Sequence, residues 1–109
     1  MASTYKVLGQ VAPAATTQTT LYTVPSSTST VVSTLAICNQ GSSSISVRVA
    51  VRPAGATLAT QHYIVYDTPV SALNTLFLTI GVSLATTDVV TVYTNTATAS
   101  FSLFGTEIQ

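Results

Sequence analysis

The stretch ISVRVAVRPAG, Ile45–Gly55, decides the fold class. In an extended chain Ile45, Val47, Val49 and Val51 fall on one side, and Ser46, Arg48, Ala50 and Arg52 on the other. The β-branched valines lose rotamer freedom in a helix but fit a pleated surface. Pro53 ends the run, and RPAG predicts a type I turn, with proline second and glycine fourth. The reading is a half-buried strand with valines inward and arginines outward.

The same chemistry recurs on both sides of it. YKVLGQ (5–10), TTLYTV (19–24), VVSTLAICN (31–39), HYIVYD (62–67), TLFLTI (75–80), DVVTVYT (88–94) and SFSLFGTE (100–107) are short β-rich runs separated by Pro, Gly, Asn and Ser. Together they predict an all-β fold, an antiparallel β-sandwich of jelly-roll type with about eight strands. The last two runs flank NTATA and predict a hairpin with a longer loop. In TLFLTI, Leu76, Leu78 and Ile80 share a face, and Gly81 predicts a bend or bulge. HYIVYD alternates imperfectly, with His62, Ile64 and Tyr66 opposite Tyr63, Val65 and Asp67. Apolar groups on both faces suit a strand covered by a neighbouring subunit, one lying under a loop, or one that exposes its tyrosines. Residues 1–109 read as a single domain, with residues 1–20 either an extended N-terminal arm or the first strand.

Composition narrows the function classes. Of 109 residues 47% are apolar and only 6% charged, with three basic and three acidic side chains and no net charge; an average globular protein is roughly a quarter charged. Serine and threonine fill about a third of the chain. Neither disorder, which needs low hydrophobicity and high net charge, nor a membrane helix, which needs about 20 unbroken apolar residues, fits this pattern. Nucleic acid would call for a basic stripe, and an anionic membrane for a polybasic one. Neutral surfaces associate readily, which suits a protein packed into an assembly. The start, MASTYKVLGQ, has no apolar signal-peptide core and predicts synthesis and assembly in a cytoplasm.

The inventory for chemistry is thin, and no cofactor is expected. His62 is the single histidine, which excludes multi-histidine metal sites within one chain. There is no GxSxG elbow, and His62 and Asp67 fall on opposite faces of their strand. Asp67 and Asp88 read as turn residues bonding their own backbone. The lone Cys38 reads as a small buried hydrophobe, with a reactive or intermolecular thiol as the alternative. Tyr22, Tyr63, Tyr66 and Tyr93, with abundant Thr and Asn, would also suit a carbohydrate-binding face; tyrosines are equally at home in subunit interfaces.

In order, YKVLGQVAP, LYTVP, STLAICN, AVRPAGA, HYIVYD, DVVTVY and FSLFGTEI resemble a group of small virion proteins of tailed bacteriophages, over Tyr5 to Glu107. The resemblance implies a small, non-enzymatic β-sandwich that forms homo-oligomers on the particle. Its partners would be itself and other virion proteins such as the major capsid or tail proteins, and it would act as a cement or decoration protein or a component of the tail or its fibres. It brings no catalytic residues with it. A receptor- or sugar-binding module of a fibre is the alternative.

Arg48 and Arg52 lie on one outward face, four residues or roughly 13 Å apart. That spacing is too wide for both to grip one phosphate and suits two separate polar contacts. The expectation is that at least one orients a subunit contact, to Asp67, Asp88 or Glu107, with two solvated charges as the alternative. The candidate interface residues are therefore Arg48, Arg52, His62, Tyr63, Tyr66 and Asp67.

Overall fold

A computed structural model describes residues 2–79 and 81–109. The strands are β1 (Ser3–Val11), β2 (Thr19–Thr23), β3 (Ser29–Asn39), β4 (Ile45–Arg52), β5 (Tyr63–Val70), β6 (Thr75–Leu78), β7 (Val82–Leu84), β8 (Val89–Thr94) and β9 (Ala99–Ile108). Two short 3₁₀ turns, Pro53–Gly55 and Thr60–His62, lie between β4 and β5. All strand pairs are antiparallel.

One sheet runs β1-β9-β3-β6, with β7 also on β3; the other runs β2-β8-β4-β5. β6 pairs with Leu35–Cys38 of β3 and β7 with Thr30–Val32, so the two are halves of one interrupted strand. Gly81 lies in the interruption, where the sequence places a bend; Ile80 lies outside the described residues. With β6 and β7 taken as one, strands 1, 8, 3 and 6 face strands 2, 7, 4 and 5. That order is a jelly roll.

Alternation builds the core. Ile45, Val47 and Val49 of β4, Leu35 and Ile37 of β3, Val90 and Val92 of β8, and Phe101 and Leu103 of β9 meet between the sheets. Asn39, 1% exposed, ties the loops together at one end. Its amide nitrogen reaches the carbonyls of Ser43, Val70 and Ser71, while its oxygen accepts from the Gly41 N–H and the Thr98 hydroxyl. At one corner β2 passes so close to β1 that a Cβ on Gly9 would collide with the Leu21 carbonyl.

Several expectations are corrected. β8 and β9 do not form a hairpin; they belong to different sheets. Asn95 exchanges bonds with Ser46 of β4, and Thr98 accepts from Gln40 after β3, so residues 95–98 step across the sandwich. In the RPAG turn Ala54 adopts φ 53°, ψ 28°, left-handed where a type I turn wants φ near −90°. Its N–H donates to Asp88 Oδ1 at 2.8 Å, a contact outside the tetrapeptide that fixes this conformation. Asp67 is not in a turn but inside β5, which continues through Pro69, as an edge strand permits. Cys38 is only partly buried, on the outer face of its sheet opposite Thr75 and Ser100.

Candidate functional site

The outer face of the β2-β8-β4-β5 sheet gathers four of the six candidate residues. Val47 pairs with Thr68 and Val49 with Val65, so β5 bulges around Tyr66 and Asp67. Asp67 takes φ 48°, a left-handed conformation that aspartate tolerates better than most residues. The bulge lays Tyr66 and Asp67 over Arg48, whose cross-strand neighbour on β8 is Tyr93. Arg48 Nε donates to Asp67 Oδ1 at 2.6 Å and Nη2 to Oδ2 at 3.3 Å. The guanidinium carbon sits 4.4 Å from the Tyr66 ring centre and 4.5 Å from that of Tyr93. Both rings favour the cation through their π faces. Tyr63 meets Tyr66 edge-on at 5.0 Å, and Gln18 donates to the Tyr63 hydroxyl at 3.4 Å. The bond from Arg48 holds the Asp67 carboxyl below its ordinary range, and the same bond raises the arginine further.

The other two candidates stay apart from this cluster. Arg52 donates to the carbonyls of Ala56 (2.7 Å) and Gly55 (3.1 Å) and to the Thr91 hydroxyl, clamping the turn that follows its own strand. His62 accepts the Ala59 N–H on Nδ1 at 3.0 Å, closing the second 3₁₀ turn. Asp88 does bond its own loop, taking the Ala85 N–H, and adds the bond to Ala54. Both arginines thus find their partners within the chain.

Sequence reasoning missed a second cluster. Glu107 is 7% exposed, between the sheets. Its Oε2 accepts from the Tyr22 hydroxyl at 2.6 Å and its Oε1 from Lys6 Nζ at 3.2 Å; the Tyr22 hydroxyl also meets Thr30 Oγ1 at 2.8 Å. The bond from Tyr22, with that from Lys6, keeps the carboxyl below its ordinary range despite burial. Burial and the carboxylate push the Tyr22 phenol up to about 12. Tyr22 is buried and takes no part in a sugar-binding face. A signal was present: Glu107 shares the parity of Phe101 and Leu103, two inward residues of the same strand.

With these contacts made, the outer face of the β1-β9-β3-β6 sheet carries no charged side chain among the described residues. Tyr5, Val7, Val31 and Phe77 stand exposed on it beside Phe104 and Thr106. Recesses elsewhere are shallow. One of about 330 Å³ is lined by Thr60, Tyr63 and Tyr66, and a broader one of about 700 Å³ by uncharged residues of 27–29, 85–86 and 108–109. Among the described residues no three His, Cys, Asp or Glu side chains converge. The chain matches no family model, no curated protein and no solved structure.

Proposed function

We propose that this chain is a non-enzymatic structural subunit of a tailed-phage virion, a small jelly roll that associates with copies of itself and stabilises or decorates the capsid or tail. The observation that carries the reading is the uncharged outer face of the β1-β9-β3-β6 sheet. Every charged side chain is engaged inside the chain, so nothing on that face opposes contact with an equally neutral surface. The exposed aromatic groups Tyr5 and Phe77 remain for packing, a residue type enriched where surfaces associate. Jelly rolls serve viral capsids and lectins alike, so the fold by itself does not choose between assembly and ligand binding.

The Arg48–Tyr66–Tyr93 cluster favours a second reading, a receptor- or carbohydrate-binding module of a tail fibre, because Tyr66 leaves 58% of its surface open. Electron microscopy and protein analysis of purified particles test the first reading. Density for this chain on the capsid or tail surface is expected, and its absence from purified virions overturns the proposal. Selective binding on a glycan array by the purified chain transfers support to the second reading.

A further inference from the structure

The free edge of β1 differs from the other sheet edges. β2 has five residues, β6 four and β7 three, and β5 is broken by bulges and carries Pro69. Short strands, bulges and prolines all blunt edge pairing. β1 has nine residues, and Ala2–Val7 are exposed along their whole length.

The hydrogen-bond phase of this strand follows from one pair. Ala2 and Gln109 exchange both backbone bonds, at 3.1 and 2.9 Å. In an antiparallel ladder bonded and non-bonded pairs alternate. Thr4 and Lys6 therefore bond to β9, whereas Ser3, Tyr5 and Val7 turn their N–H and C=O groups to the open side. The same three side chains lie on the uncharged outer face, with Tyr5 84% and Val7 48% exposed.

We infer that this edge pairs with the same edge of a second copy, antiparallel and about a two-fold axis at Tyr5. In that register Tyr5 faces its counterpart, Ser3 faces Val7, and Val7 faces Ser3, each pair exchanging both bonds. The pattern is self-complementary, as a two-fold contact requires. Lys6 falls opposite Thr4 rather than opposite the other Lys6, and it is already neutralised by Glu107. The two uncharged faces become one continuous surface, and the exposed Tyr5 and Val7 side chains pack against their equivalents. The inference deepens the self-association proposed above and rests on it.

Sedimentation of the purified chain, wild type against Tyr5→Pro, tests the pairing. Proline removes an N–H that points away from β9 and leaves the intrachain ladder complete, so folding is retained. Tyr5→Lys, which sets two cations face to face across the axis, is the second variant. Tyr5→Cys in a Cys38→Ser background adds a positive readout, because bonded pairs hold their Cα atoms about 5.5 Å apart, within disulfide reach. The expected result is a wild-type dimer that each of the first two variants weakens at least about tenfold, or about 1.4 kcal/mol, with an oxidised dimer of the third. A wild type that stays monomeric to about 1 mM overturns the pairing, as does a dimer indifferent to both substitutions. A monomer that enters particles only with Tyr5 intact also overturns it, and assigns the edge to a strand from a different protein. Particle analysis separates the two proposals. A chain found in virions with an unpaired edge loses only the pairing; a Tyr5-dependent dimer absent from virions loses only the virion role.

Discussion

Glu107 is the acidic side chain that the sandwich takes inside, and its two oxygens are shared between a phenol and an ammonium group. An ionised carboxylate in such a place is tolerable only while those bonds hold. Because its folded pKa lies below the ordinary value, its contribution to stability is complete above the carboxylate range and is lost as pH falls through the folded value. Thermal unfolding followed from pH 7 downward is expected to show a loss of midpoint below about pH 4 that is smaller in Glu107→Gln. Tyr22→Phe, which strips the phenol from a buried acceptor, is expected to cost about 1–3 kcal/mol in denaturant titrations. The sequence hides this cluster because Lys6 and Glu107 stand 101 positions apart and meet only once β1 and β9 are in register. Asp67 was one of three carboxylates expected to meet an arginine across a subunit contact; adjacent strands β4 and β5 bring it to Arg48 within the chain. The stacking of Arg48 on Tyr66 was not foreseen, because a bulge reverses the simple alternation of β5.

At the scale of elements, periodicity found every long strand, and only the three-residue β7 escaped it. Alternation is a local property and survives in the sequence whatever the strand pairs with. Pairing is different. DVVTVYT, NTATA and SFSLFGTE carry hairpin chemistry, yet β8 and β9 each find two other neighbours, because two inward faces need opposing sheets more than they need each other. The packing of those sheets at the β1–β2 corner rests on Gly9. Gly9→Ala is expected to destabilise by about 1–3 kcal/mol, since the intruding methyl meets backbone rather than a side chain that can turn away. Urea titration checks it, and an unchanged midpoint would mean that β2 can retreat without cost.

For the whole molecule, charge placement is the organising fact. The two outer faces differ: one carries a satisfied Arg–Asp pair among tyrosines, the other no charge among the described residues. Val31 stands in the middle of the neutral face and is 41% exposed, so Val31→Lys is expected to change folding stability by no more than about 0.5 kcal/mol. Entry into particles, measured by competition against wild type, is expected to fall sharply. Leu73→Lys, on an exposed loop, serves as the control and is expected to leave incorporation unchanged. Equal incorporation of both variants would remove this face from the assembly.

The placement of β9 between β1 and β3 has a consequence for how the protein is made. Ser3 and Ser29 both pair with Ile108, so two strands synthesised early wait for one made much later. At roughly 5–20 residues per second on the ribosome, β1 waits on the order of 5–20 s before its partner exists. During that interval β1 has β2 beside it at Gly9 but lacks its strand partner. Closure of the sheet therefore waits until β9 has been made, slow in the manner of non-local β topologies. A newly made subunit can offer its neutral face in finished form only once β9 has slid into the gap.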